Sequence, residues 1–530
     1  MSPPQGDTRV GDRPQVGAPA PAPAPAPDLA AGGGMMATGS DDLAKGPRPA
    51  SGSQAFAARG VDVALAVLML LALAAWAQAI LHEHFDHDEL EHTHVIWLIT
   101  RGHRPFYDFF ECHPPFLWYA LGGLLRATGE SYNVLFAFRF LSGIFHALFL
   151  ILVAKNIAGS AASSSSSSPR SSRAAVWWRP LALGFLVLAA QPAVLAYLLE
   201  FRLDALPNAL LLFATLQYRR SRGAVTWAAL RFGLLSSAAV LCSPKLGILL
   251  LSFVIFSLLP AQQRKWRLAG MAAGAGAAVV AAIGILLALR LDPVDVFRLS
   301  IAYHSLLNRR AGFGHGMASA IWQQRMALAI VVGSAVAFLW RIKGRFLSAP
   351  FELAVLSFLI FQLFFVSFPN KQYYGPWFVL GLALFPYLYD ALVTDAGGRL
   401  LSAVALSAGL AYGGFNVMRD LDHYRHHDPA RSEIAARQSL ELLVPAGAPV
   451  VVSMERRLLF RRDSLYHIAS SAAPSGFNTA RLMEILNVAG LGARFNTDYY
   501  RAEMERMPPA LIVQRGWFTI EQQRAIDGYL

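Results

Sequence analysis

Between Val61 and Val417 the chain is a succession of apolar runs, many close to 20 residues long, separated by short polar stretches. About 20 consecutive apolar residues are needed to cross a bilayer as a helix. In lipid a helix satisfies all its backbone polar groups within the segment. The pattern therefore predicts an all-α polytopic membrane protein. Only 15% of the 530 residues are charged, against 55% hydrophobic, and the mean hydropathy is +0.41. A soluble chain averages about a quarter charged residues. The formal net charge of +12 sits largely in Arg/Lys clusters between apolar runs, where it sets topology. It comes with no nucleic-acid-binding motif, so nucleic acid is not an expected partner; the bilayer is. Cys112 and Cys242 are too few for a disulfide framework or a cysteine metal site.

The first expected span is Val61–Leu81, and no cleavable signal peptide is expected ahead of it. Pro115–Leu125 is too short to cross and opens on Pro-Pro, so it reads as an interfacial helix. Further spans are expected over Val134–Ala154, Leu181–Leu199, Leu203–Tyr218, Val225–Leu241, Leu246–Leu259, Leu268–Leu289, Met326–Trp340, Phe351–Phe368, Tyr374–Leu392 and Leu400–Val417. That makes about eleven transmembrane helices. Four basic clusters (Lys155 with Arg170, Arg173 and Arg179; Arg219, Arg220 and Arg222; Arg264, Lys265 and Arg267; Arg341, Lys343 and Arg345) then fall on one side. By the positive-inside rule that side is cytoplasmic, as is the N-terminus, in a bacterial-type inner membrane.

Residues 1–56 are rich in Pro, Ala and Gly, with Ala-Pro repeats from Ala18. They carry too little apolar surface to offset the entropy of ordering and are expected to form a disordered cytoplasmic tail. The serines Ser163–Ser168 read as a flexible connector. Residues 57–417 form the expected transmembrane domain, with a first outer loop over 82–133 and a long one over 291–325. The segment 418–530 changes character. Short β-type runs at Pro449–Met454 and Ala510–Gln514 alternate with helix-favouring stretches near Ala480–Ala489 and Tyr499–Met507. It reads as a small extracytoplasmic α/β domain.

The first outer loop concentrates acid–base capacity in an otherwise apolar chain. Within Phe85–Trp97, helical spacing places Asp88, Glu91 and His92 on one face, at i, i+3 and i+4, with Val95 and Ile96 continuing the apolar side. Asp108 and Glu111 follow, just before His113-Pro114-Pro115. One such carboxylate could take a proton as a general base while another orients an acceptor or a cation. The histidines His82, His84, His87, His92 and His94 also permit a metal site, since His and Asp/Glu at i, i+4 can chelate. A divalent cation stays open as a cofactor, with no ligand set assigned.

These residues carry a resemblance. Asp88-Glu89, Gly102, Pro105, Tyr107-Asp108-Phe109, Glu111 and His113-Pro114-Pro115 together resemble the first outer loop of the glycosyltransferase family 39 type. That superfamily holds the protein O-mannosyltransferases and the aminoarabinose transferases, which share the GT-C fold. Glu200-Phe201-Arg202-Leu203-Asp204-Ala205-Leu206 is similar to the family's E-x-R-x-D-A-L at an outer span end, and Pro369–Tyr374 to its later Lys/Tyr segment. The resemblance implies a membrane glycosyltransferase that takes a sugar from a polyprenyl-phosphate donor to an extracytoplasmic acceptor. It matches Asp88 to the catalytic aspartate, beside Glu89, and sets Glu111 near the second acidic position. The aminoarabinose-transferase pattern has Glu-Lys directly before Pro-Pro where this chain has Cys112-His113, so Asp108 competes with Glu111.

Cations at outer span ends are expected to hold the donor phosphate: Arg202, Lys245, Arg309 and Arg310 in the long loop, and Lys371 with Tyr373. Arg is the bidentate phosphate ligand among them. His92, His113 and Asp204 are placed to orient the acceptor. The competing function class is a transporter or flippase of a lipid-linked saccharide. Such proteins place their sites near the bilayer midplane, often between internal repeats, and neither feature is visible in this chain.

Overall fold

A computed structural model describes residues 52–109, 111, 113–163, 179–187, 198, 200–221, 225–258, 264–302, 315–342, 349–365, 371–393, 426–452, 457–464, 497–513, 518 and 520–530, with isolated positions between 407 and 423. Contacts divide the chain into Met1–Arg59 and Gly60–Leu530. The first unit is described only where its last residues begin a helix. Residues 1–51 of the expected tail therefore lie outside the described residues, whereas 52–56, expected to be disordered with them, form the first turn of a helix that runs from Gly52 to His82.

The second unit is mainly helical, which bears out an all-α membrane fold. Helices α1 (Gly52–His82), α2 (His87–Thr100), α3 (Phe116–Thr128) and α4 (Asn133–Ser163) build its first third. After a helical stretch at 179–187 come α5 (Ala205–Arg220), α6 (Val225–Cys242), α7 (Gly247–Leu258) and α8 (Arg264–Ala288). Then follow the short α9 (Pro293–Phe297), α10 (His315–Ile342), α11 (Pro350–Phe365), α12 (Lys371–Gly381) and α13 (Phe385–Val393). Among the described residues, three helices are long and apolar enough to cross a membrane, within Leu65–His82, Asn133–Ile157 and Arg264–Ala288. Thr226–Cys242, Pro244–Phe256, Ala327–Ile342 and Pro350–Phe364 are apolar but shorter. The expected count of eleven is thus not reached by length and composition. Leu400–Val417 falls almost wholly outside the described residues.

Two expectations need correction. The single span over Tyr374–Leu392 is broken into α12 and α13. Consecutive i→i−3 hydrogen bonds (Leu382 N to Val379 O, Ala383 N to Leu380 O, Leu384 N to Gly381 O) tighten the chain there. Pro386 then supplies no N–H and opens the next helix at its first turn, where that lack costs little. The long outer loop is also shorter than expected, because α10 already begins at His315.

Helices α6 and α8 approach closely. A Cβ on Gly274 would land on the Leu230 carbonyl oxygen and 2.7 Å from Leu234 N, while one on Gly233 would land on the Met271 carbonyl oxygen. Close backbone approach through small residues is how helices associate in lipid. Because the obstacle is backbone, no rotamer change relieves it. Gly274→Val is therefore expected to cost at least the ~1–3 kcal/mol of ordinary overpacking. A lower melting point in detergent would register it, and an unchanged one would refute the close approach.

The C-terminal part contributes α14 (Pro429–Leu442), β1 (Val450–Val451), α15 (Thr497–Arg506), β2 (Leu511–Ile512) and α16 (Ile520–Tyr529). β1 and β2 pair in parallel, Val450 beside Leu511 and Val451 beside Ile512. The helix expected near Ala480–Ala489 lies outside the described residues. The contacts do not set 418–530 apart as a separate domain. Ala430, Leu459 and Phe460 share a core with Leu90, Val95, Trp97, Trp118 and Phe138 from α2, α3 and α4. Tyr132 donates to Glu441 (2.9 Å), and Phe85 N donates to Glu433 (2.9 Å).

Candidate functional site

The site is built on α2. Asp86 caps the helix, accepting from Asp88 N (3.0 Å), and the Glu89 carboxylate returns to Asp86 N (3.0 Å). This reciprocal pair is a capping box. At the other end Gly102, with φ +88°, lets Gly102 N reach Ile99 O and His103 N reach Leu98 O, both at 3.0 Å. Those two bonds form a Schellman motif and turn the chain toward 104–113. The helix is not the half-exposed one that its charged face alone would suggest. Every residue from Glu89 to Ile99 is buried, because α3, Phe201 and the segment around Leu459 cover it.

Arg202 is the hub of the charged cluster. It pairs with Asp88, with Glu200 (Nε to Oε2 2.6 Å) and with Asp86 (3.5 Å). Burial would raise the Asp88 carboxyl, but the Arg202 guanidinium and a 3.0 Å contact from His87 Nε2 hold it well below the usual range. For Glu200 burial wins over Arg202, pushing the carboxyl up to about 7. Burial would lower His87, yet its bond to Asp88 and the charges of Asp88 and Asp86 push it up to about 9. Asp204 accepts from Ser243 Oγ (2.7 Å) and Lys245 Nζ (3.1 Å).

His87 carries a stability signature. Its folded pKa lies above the ordinary 6.5, so the charged form favours the fold. That contribution is whole below about pH 6.5 and is lost as pH rises toward about 9. A melting point that falls across this window in wild type is expected to fall less in His87→Gln. Equal slopes would remove His87 from the account.

A second group lies one turn along α2. Glu91, Glu111 and His113 each offer a ligand atom, all within 4.8 Å of one another, and His113 Nδ1 is 2.9 Å from Glu111 Oε1. Burial first, and then the Glu111 charge, push Glu91 up to about 8. His92 packs edge-on against His113, with ring centroids 5.3 Å apart, and burial takes it down to about 3, so it is neutral. Asp88, Glu91 and His92 share one electrostatic neighbourhood, as the helical spacing leads one to expect.

The remaining positions disperse. Glu89 lies in a buried bidentate pair with Arg139 (2.8 and 2.6 Å) and also accepts from Phe201 N (2.8 Å). Asp108 accepts from Arg104 N (2.7 Å) and lines a different cleft, with His103, Arg462, Tyr499 and Glu503. Despite its nearness in sequence it is therefore apart from the Glu111 group. Arg202 and Lys245, expected to bind phosphate, are already paired with carboxylates. Lys371 and Tyr373 open α12, whereas Arg309 and Arg310 lie outside the described residues.

Asp86 is not among the residues that the sequence singles out, and His87, Glu91 and Glu200 enter there only with the loop histidines, on the shared helical face and within the E-x-R-x-D-A-L match. The D-x-x-E signature of a capping box was present at Asp86 and Glu89, and it marks the helix start two residues earlier than Asp88. No known family model, curated protein or solved structure matches the chain.

Proposed function

We propose that this chain is a membrane glycosyltransferase of GT-C type that moves a sugar from a polyprenyl-phosphate donor to an extracytoplasmic acceptor. The observation that carries the reading is Asp88, a carboxylate kept ionised by Arg202 and His87 at one end of a buried helix. With phosphate as the leaving group, departure needs no acid from the protein, but the acceptor hydroxyl must lose its proton. Asp88 serves as the general base, and Glu200, titrating near neutrality on the same guanidinium, is the neighbour through which that proton passes on. Donor phosphate is held by Arg202 and Lys245, once it displaces part of their carboxylate pairing. Arg309, Arg310, Lys371 and Tyr373 are further candidates for the same task.

About eleven spans in a bacterial-type cytoplasmic membrane accompany this reading, with the N-terminus cytoplasmic and the C-terminal segment outside. His92, His113 and Asp204 then lie on the acceptor side. The resemblance of the first loop and of Glu200–Leu206 to family 39 enzymes supports the donor class. The test is transfer of label from polyprenyl-phosphate sugars to a membrane extract by the purified protein. Label in a glycan, lipid or protein product establishes transfer. Donor bound without any transfer, in every extract tried, points instead to a carrier.

A further inference from the structure

We infer that Glu91, Glu111 and His113 form a binding site for one divalent cation of the zinc class, which pins the 111–113 segment to α2. The inference stands whether or not the transfer reading holds. Glu91 and Glu111 are 3% and 0% exposed, with ligand atoms within 4.8 Å of each other and of His113. Two carboxylates brought together away from water repel each other unless a cation or a shared proton lies between them. Arg457 faces Glu91 from the C-terminal segment, and His113 stands against Glu111.

A separate observation singles out a metal ion. His92 Nδ1 and Trp118 Nε1 are buried and have no hydrogen-bond partner. His92 is 5% exposed and Trp118 is fully buried. Both rings pack on His113, with centroids 5.3 and 6.0 Å from it. Buried polar atoms are nearly always satisfied. Waters carried by an ion at the Glu91 group would supply a partner to each of the two orphaned nitrogens; His92 itself is not among the ligand atoms that lie within 4.8 Å of one another. Imidazole with carboxylates is a zinc-type donor set, and three protein ligands leave a position for water.

The other trio, Asp86, His87 and Asp88, also has its ligand atoms close together. Its carboxylates are already engaged by Arg202, so the cation is assigned to the Glu91 group.

The full-length protein, purified in detergent and stripped with chelator, is titrated with Zn²⁺, and with Co²⁺ followed by visible absorption. Wild type is expected to take up one ion per chain. Glu111→Gln and His113→Ala are expected to weaken Zn²⁺ at least about tenfold, on the scale of losing a ligand-supporting group. Asp86→Asn is expected to bind as wild type does. No uptake by wild type overturns the proposal. So does uptake that survives both Glu111→Gln and His113→Ala, or that is lost in Asp86→Asn instead. Should the variants fold poorly, hydrogen exchange in wild type decides: amides of 111–118 must slow when Zn²⁺ is added, and unchanged exchange overturns the site.

Discussion

Asp88→Asn is expected to lower sugar transfer by about 10²–10⁴-fold, the range that a positioned general base contributes, while donor binding persists. The substitution preserves shape, and an amide oxygen can still accept from Arg202. The ability to take a proton is what disappears. The same change removes the anion that raises His87, so the His87 pKa, read by NMR, should fall with activity. A pH profile separates the two carboxylates on Arg202. With Asp88 as base, its carboxyl lies well below the usual range, and the rate stays level through neutrality. With Glu200 as base, the rate rises through about pH 7, and Glu200→Gln abolishes that rise. Full turnover by Asp88→Asn would end its candidacy. The base would then be sought at Glu200 or in the Glu91–Glu111 pair.

What could be read from the sequence was what depends on local composition. The long apolar runs at α1, α4 and α8 announce themselves because lipid demands about 20 residues of one chemistry. Asp88, Glu91 and His92 could be placed on one face because helical spacing is local too. The break between α12 and α13 had a local cause at Pro386, yet a window of mean hydropathy passes over it. Long-range partners carried no such signal. His94 Nδ1 meets Leu459 O (2.9 Å) across 365 positions, and Leu459 and Phe460 join the core that buries α2. Proximity in sequence even misled for Asp108 and Glu111. The turn at 104–109 sends Asp108 to cap Arg104, whereas Glu111 returns to α2.

The same principle governs Glu89, whose sequence context beside Asp88 speaks for catalysis and whose surroundings speak for architecture. Arg139 on α4 grips it through two hydrogen bonds while also donating to Ile80 O (3.1 Å), Glu83 O (2.8 Å) and His84 O (2.7 Å). One guanidinium thus ties the end of α1, the cap of α2 and the body of α4 together. Its partner's oxygens are used as well, by Asp86 N and Phe201 N. Both side chains are 1% exposed. Removing one member of such a pair strands a buried charge, at about 3–5 kcal/mol. Arg139→Met and Glu89→Ala are therefore each expected to lower the melting point strongly and to reduce the yield of monodisperse protein. The double variant Glu89→Leu with Arg139→Met, which strands no charge, should recover part of that loss despite the carbonyls left behind. Turnover per folded molecule distinguishes the roles. A structural Glu89 leaves residual turnover in whatever protein folds. A Glu89→Ala protein with wild-type stability and no turnover would instead move Glu89 into the chemistry.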